Sequence, residues 1–214
     1  MKDSKQSRSI AIIGAGKIGQ AVGQLWLHAG HSVCFGSRSP QKLSSFVEAM
    51  GARACVKSIE AAADEGEIIF LAVPYQAVNE LIPPLHPLLS GKIVIDATNP
   101  FALSPEGRIV SSLATETTAG SRMASLLPES KVVRAFTHIM DELLVSRGST
   151  QSGLWAMAIA GDDSEAKHVV SELVRDAGFV PVDIGSLANS SPLDPGGKLF
   201  PHMFTEADMK ASLL

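Results

Sequence analysis

The sequence predicts an α/β fold: a doubly wound, mainly parallel sheet followed by a short, loop-rich C-terminal extension. Three observations predict it. β-branched runs of strand length alternate with helix-periodic stretches almost to the end of the 214 residues. The strand over 67–73 is apolar from Ile68 onward, as a parallel strand covered on both faces has to be. A GxGxxG separates the first strand-like run from the first helix.

Residues 9–13 form the first strand, and Ile18, Val22, Leu25 and Ala29 recur on one face of the helix that follows. Residues 32–36 read as the second strand and 40–50 as a helix with Pro40 in its first turn. A short strand over 53–56 and a helix over 58–65 come next. After the strand over 67–73, residues 75–89 are helix-like but interrupted by Pro83 and Pro84, which lack the N–H a helix interior needs. Strand five is 92–96. A loop rich in Pro, Ser and Gly then leads into a helix ending near Leu127, with further strands at 131–135 and 154–160. Asp162 is set to cap a helix reaching about Ala177, which Gly178 terminates. The last strand is 180–184. Beyond it, Pro192, Pro195, Gly196, Gly197 and Pro201 predict loops, with one short helix at 206–213. The chain thus divides into residues 1–185, a nucleotide-binding domain, and 186–214, an extension.

Composition narrows the function classes. Net charge is −4 and no Lys/Arg cluster is present, which argues against nucleic acid or an anionic membrane as partner. No apolar stretch approaches the ~20 residues that span a bilayer. Lys2, Lys5 and Arg8 precede an apolar run that Lys17 interrupts, too short for a signal peptide, so the chain is read as cytoplasmic. Cys34 and Cys55 fall in apolar segments of neighbouring strands and read as small core residues in a reducing compartment. His28 and His31 bracket a helix end, and nothing nearby completes a metal site.

Gly14-Ala15-Gly16-Lys17-Ile18-Gly19 directly follows a strand and opens a helix, the context that makes GxGxxG a dinucleotide fingerprint of the Rossmann type. Gly14 permits the tight turn, Gly16 lets backbone approach a pyrophosphate, and Gly19 lets helix and sheet pack closely. The phosphates then meet free N–H groups at the positive end of a helix. The end of the second strand selects the cofactor. NAD-binding units carry an acid there to hold the ribose 2′-hydroxyl. This chain has Gly36-Ser37-Arg38-Ser39: no carboxylate to repel a 2′-phosphate, two hydroxyls, and a guanidinium to bind it. The expected cofactor is NADP(H).

The nicotinamide of such a cofactor lies across the carboxyl ends of the strands. Three segments can line it: Val73-Pro74-Tyr75, Asn99-Pro100-Phe101 and Thr137-His138-Ile139. Tyr75 is either a phenolic donor or a helix-start residue. His138 is the best-placed titratable side chain, either a proton donor or a loop histidine with its hydrogen bonds satisfied.

The sequence resembles the NADPH-dependent reductases typified by the coenzyme F420:NADP oxidoreductases, a family that includes the reductase domains of transmembrane metalloreductases. The resemblance runs through residues 13–19, Gly36-Ser37-Arg38, Asp96-Ala97-Thr98-Asn99-Pro100, and Leu126-Leu127-Pro128 leading into Lys131-Val132-Val133-Arg134-Ala135-Phe136. It continues through Ala160-Gly161-Asp162-Asp163, Ala177-Gly178-Phe179 and Val182-Asp183-Ile184-Gly185-Ser186-Leu187. It implies hydride transfer between nicotinamide and a second flat ring stacked on it: a flavin or deazaflavin such as F420 acting as dissociable co-substrate, a quinone-like compound, or a metal chelate. Direct transfer needs proximity and orientation more than a protein acid or base. Thr137, His138, Ile139 and Leu187 would face that acceptor, with residues 186–214 closing its site. A homodimer would fit the family.

Two regions depart from the family pattern, and both flank the acceptor site. Family members carry His-Thr or Asn-Thr after Ala-Phe, whereas this chain has Thr137-His138. After Leu187 they run into Leu-Glu-Pro, whereas this chain has Leu193-Asp194-Pro195 and two glycines. Two other readings remain. Imine and hydroxyacid reductases share the cofactor domain but add a helical second domain, for which the thirty residues after Ile184 are too few. A non-catalytic NADPH sensor acting through a protein partner is the other.

Overall fold

The computed structural model describes residues 6–114 and 116–214, so Lys2 and Lys5 of the amino-terminal reading lie outside the described residues. Strand β1 (Ser9–Ile13) leads into α1 (Lys17–Ala29), which ends at Gly30 with φ 102° and its N–H on Leu27 O. β2 (Ser32–Gly36) is followed by a 3-10 turn, Pro40–Leu43, and then α2 (Ser44–Ala49). The helix read over 40–50 is therefore two pieces. β3 (Ala54–Lys57), α3 (Ile59–Glu65) with its Ser58 cap, and β4 (Ile68–Leu71) complete the first half.

In the second half, the turn Tyr75–Ala77 runs into α4 (Val78–Leu89). This helix continues through Pro83, Pro84 and Pro87 because Val78, Ile82, Leu85 and Leu89 hold one apolar stripe against the sheet. β5 (Ile93–Asp96) precedes a hairpin of β6 (Phe101–Leu103) and β7 (Ile109–Ser111), which the loop-rich sequence does not suggest. There follow α5 (Ala119–Leu126), β8 (Lys131–Arg134), α6 (Asp141–Thr150), β9 (Ala156–Gly161), α7 (Ser164–Asp176), β10 (Val180–Asp183) and, after two 3-10 turns, α8 (Glu206–Leu213). The cap of α7 is Asp163, whose side chain accepts from Ala166 N; Asp162 instead accepts from Leu187 N.

Helix α6 has no apolar period to announce it. It buries only Leu144 and Gly148, and a Cβ at Gly148 would come within 2.4 Å of Ala177 O. Close approach, not an apolar stripe, seats it.

The eight-stranded sheet has the order β10-β9-β8-β5-β4-β1-β2-β3. Its pairs are parallel except β8 with β9. From β1 the chain winds to β2 and β3 on one side and returns through β4 and β5 on the other, so the switch point lies between β1 and β4. β9 and β10 run opposite to the other strands. Their reversal sends the carboxyl end of β10 away from the edge where β1, β4, β5 and β8 end. The fold is the Rossmann-type α/β fold expected from the sequence. Trp26, Phe70 and Phe136 meet edge to face at its centre, with centroids 5.2–5.6 Å apart.

The two cysteines are not free thiols as the sequence reading had them. Parallel register places Cys34 directly opposite Cys55, with Cα atoms 4.5 Å apart, and their sulfurs are joined as a disulfide. Among the described residues no helix is long and apolar enough to cross a membrane, and no group of three His, Cys, Asp or Glu side chains could hold a metal.

Candidate active site

The glycine turn sits at the switch point. Gly14 adopts φ 105°, and a Cβ there would lie 2.4 Å from Ala72 O, so the turn crosses tightly over the exit of β4. A Cβ at Gly19 would lie 2.1 Å from Gly14 O, which is how close α1 comes to the turn. Gly16, the N-cap of α1, has no atom within 4 Å of such a Cβ and faces open space. Ala15 is held by its carbonyl, which accepts from Gln20 Nε2 at 2.8 Å. No side chain caps α1 and no acid occupies its first turn. The N–H groups of Lys17 and Ile18 are therefore available to an anion.

The end of β2 lies against this turn, Gly14 N reaching Gly36 O at 3.5 Å. Ser37 N donates to Lys57 O at 3.0 Å, and Ser37 Oγ accepts from Ser39 N at 3.1 Å. Between them Arg38 is exposed and makes no hydrogen bond or ion pair with a described residue. Serine hydroxyls and an exposed guanidinium beside the glycine turn have the chemistry to take a 2′-phosphate. Gly36 is glycine for a packing reason too: a Cβ would sit 2.7 Å from Ile13 Cδ1 and 3.2 Å from Ile59 Cα.

A cleft of about 610 Å³ runs from Gly16, Lys17 and Ile18 along the carboxyl edge of the sheet. Val73, Pro74 and Tyr75 line it after β4, Asn99 after β5, and Thr137, His138 and Ile139 after β8. Pro100 is buried behind Asn99 and does not reach the cleft. Phe101 of the second expected segment also lines it, and Phe200 with Pro201 come from the extension expected to close the site, whereas Ile109 of the hairpin and Met140 with Asp141 at the start of α6 had no sequence signal. Phe101 and Phe200 meet edge to face at 5.6 Å, closing the apolar end. Tyr75 starts a turn and also lines the cleft; burial raises its phenol pKa, so it stays protonated.

Phe136 takes φ 59°, a left-handed backbone rare outside glycine, and turns the chain so that Thr137 enters the cleft wall. Thr137 is 3% exposed and its Oγ1 has no hydrogen-bond partner among the described residues. Its carbonyl accepts from Asn99 Nδ2 at 2.9 Å.

His138 is placed differently from the proton donor considered above. Its Nε2 accepts from Ala158 N at 3.2 Å, so the ring proton is on Nδ1, which meets His202 O at 3.0 Å. Both nitrogens are engaged, and burial lowers the pKa to about 4. The ring ties β9 and the extension together and offers no proton to the cleft. Leu187 is the other correction. Because β10 points away from the cleft edge, Leu187 packs with Met123 and Leu127 in the core, 2% exposed, and does not line the cleft.

Behind the cleft wall lies a charge cluster. Arg134 is fully buried; one terminal nitrogen donates to Asp96 Oδ2 and Thr98 O, each at 2.7 Å. The other donates to Asp194 Oδ1 at 3.0 Å and reaches Asn99 Oδ1 at 3.4 Å. Asp96 Oδ1 accepts from Thr98 N and Oγ1, and Asp194 Oδ2 accepts from Ala119 N at 2.9 Å. Burial pushes the Asp194 carboxyl up while Arg134 pulls it down. Asp96, Arg134 and Asp194 belong to motifs quoted above, but no sequence spacing pairs them.

Comparison with known proteins agrees with the family resemblance. Residues 9–100 match the family described as NADP oxidoreductase coenzyme F420-dependent. Over 190 residues the chain is 32% identical to the metalloreductase STEAP3 of Rattus norvegicus, covering 89% of this chain and 36% of that protein. An F420-dependent NADP reductase of Methanocaldococcus jannaschii is 30% identical over 131 residues, 60% of this chain and 58% of that one. A solved structure of a hypothetical protein from Sinorhizobium meliloti superposes with a TM-score of 0.82 at 29% identity, covering 93% of this chain and 96% of that chain. The chain thus spans little more than a third of the metalloreductase's length.

Proposed function

We propose, from the likeness of this chain to the F420-dependent NADP oxidoreductases, that it is an NADP(H)-dependent oxidoreductase passing hydride to or from a flat ring acceptor. The observation that carries the reading is one continuous cleft. At one end are the free N–H groups of α1; at the other is an apolar slot between Val73, Phe101, Ile109 and Phe200. Arg38, outside the cleft lining, follows β2 beside the glycine turn and has no partner among the described residues.

Bound reduced nicotinamide supplies a hydride, two electrons with one proton, to the acceptor. The chain's own work is binding and orientation. The amino end of α1 holds the pyrophosphate, and Ser37, Arg38 and Ser39 hold the 2′-phosphate. Val73, Pro74 and Asn99 border the nicotinamide. Thr137 Oγ1, a buried hydroxyl without a partner among the described residues, donates to a ligand carbonyl in the slot. The extension closes that slot with Phe200 and Pro201 and excludes water. Apolar walls favour a flavin, deazaflavin or quinone over a charged metal chelate.

The test is NADPH oxidation by the purified chain against a flavin, a deazaflavin, a quinone and a ferric chelate in parallel. Turnover with at least one ring acceptor, faster than with the chelate, supports the reading. A folded chain that binds NADPH and oxidises it with none of them overturns it.

A further inference from the structure

We propose that Arg134 is a positioning residue that couples docking of the C-terminal extension to the shape of the cleft wall. The path is continuous: Asp194 of the extension, Arg134 at the end of β8, the Asn99 carboxamide, and the Thr137 carbonyl, joined by contacts of 3.0, 3.4 and 2.9 Å. One guanidinium nitrogen serves both Asp194 and Asn99. Removing the Asp194 charge frees that nitrogen to shift, and the carboxamide it orients shifts with it.

The carboxamide has little freedom to adapt. Its oxygen faces Arg134 and its nitrogen faces Thr137 O, so a flip would set nitrogen against guanidinium and oxygen against carbonyl. Thr98 is fixed from the same source, its carbonyl on Arg134 and its hydroxyl on Asp96. The wall at Thr98, Asn99 and Thr137 is thus read out from a cluster that is complete only when Asp194 is in place.

A purely stabilising role is the weaker account of the cluster. Two carboxylates share one guanidinium in a site from which water is excluded, and such buried clusters add little over apolar packing of the same size. Asp194 also caps α5 through Ala119 N. Seating the extension therefore fixes α5 and the cleft wall in one contact set.

The coupling rests on the cleft being the acceptor site, and its test has an arm that does not. Amide hydrogen exchange of Asp194→Asn is compared with that of the unmodified chain, with NADP+ bound and absent. The expected result is exchange at least tenfold faster in peptides covering 97–101 and 136–140, as well as in the extension, with β1, β2 and β4 unchanged. Acceleration spread evenly over the sheet, or confined to the extension, overturns the proposal. If Asp194→Asn does not fold, Asp194→Glu, which keeps the charge, is paired with Asn99→Ala, which leaves the cluster intact. Asn99→Ala should accelerate exchange at 136–140 and Asp194→Glu should not, and the reverse pattern overturns the coupling. The kinetic arm uses a ring acceptor that supports turnover. Asp194→Asn and Asn99→Ala should each raise acceptor KM about tenfold, with NADPH affinity held within about twofold in Asp194→Asn, and the double variant should be no worse than Asn99→Ala. Multiplying losses in the double variant contradict the coupling. An unmodified chain inactive with every acceptor contradicts the proposed function instead, and the exchange arm still decides this proposal.

Discussion

The imidazole of His138 accepts a hydrogen bond from Ala158 N at 3.2 Å while its other nitrogen meets the His202 carbonyl at 3.0 Å. The native fold therefore needs the neutral ring, with a pKa near 4 against about 6.5 in an unfolded chain. Its contribution to stability is fully present above about pH 6.5. It is lost as pH falls from there towards 4, because the unfolded chain takes up the proton first. The loss approaches about 3 kcal/mol. Urea denaturation from pH 7.5 to 4 should show this slope, reduced in His138→Gln. Equal slopes in both proteins would contradict the tautomer assignment. Activity should show no pKa near 6.5 that vanishes with His138.

Arg38 should decide cofactor choice. Arg38→Ala removes a charge-assisted contact worth about 1.5–3 kcal/mol, a ten- to hundredfold loss in NADPH affinity with NADH little changed. The complementary acid belongs at position 37, because a side chain at Gly36 would strike Ile13 and Ile59. Ser37→Asp should favour NADH. Calorimetric titrations showing equal losses for both cofactors in Arg38→Ala would remove the 2′-phosphate assignment.

The glycines of the turn should separate into two classes. Gly16→Val should abolish dinucleotide binding and leave the melting temperature nearly unchanged, since no described residue other than its chain neighbours comes within 4 Å of the new Cβ. Gly19→Ala should destabilise the fold by at least about 1–3 kcal/mol, because its methyl would press on Gly14 O. Melting curves with and without NADPH check both. A stable, NADPH-binding Gly16→Val would sink the phosphate-binding role of the turn.

Thr137→Val should trade function for stability. A buried hydroxyl without a partner costs the native state about 1–3 kcal/mol in lost hydration, so the isosteric variant should be at least as stable as the unmodified chain. Acceptor KM should rise about tenfold while NADPH affinity holds. A less stable variant with unchanged acceptor kinetics would show that the hydroxyl serves the fold.

What the sequence disclosed follows from what is local. The glycine turn, the missing acid at the end of β2 and the order of strands are written in neighbouring residues, so β1, α1, β2 and the three lining segments could be placed. Contacts made by reversal or distance could not. The family resemblance puts Leu187 at the cleft, and the reversed direction of β10 that takes it away is not written in neighbouring residues. The choice between a proton donor and a satisfied loop histidine at His138 stays open in the sequence because the partners that decide for the second, Ala158 and His202, lie on β9 and the extension. Asp194 and Arg134 meet across 60 positions. Helix α6 is seated by a glycine contact and the β6–β7 hairpin by a short ladder, and neither leaves a period in the sequence.

The central claim, hydride transfer in the cleft, is tested most directly by an anaerobic single turnover with NADPH deuterated at the transferring carbon and a ring acceptor. The account predicts one acceptor reduced per NADPH consumed and a slower step than with unlabelled NADPH, with the deuterium retained when the acceptor is a deazaflavin, whose ring carbon does not exchange with water as a flavin nitrogen or quinone oxygen does. Consumption of NADPH at the same rate with and without deuterium, or tight NADPH binding with no acceptor reduced, would contradict it.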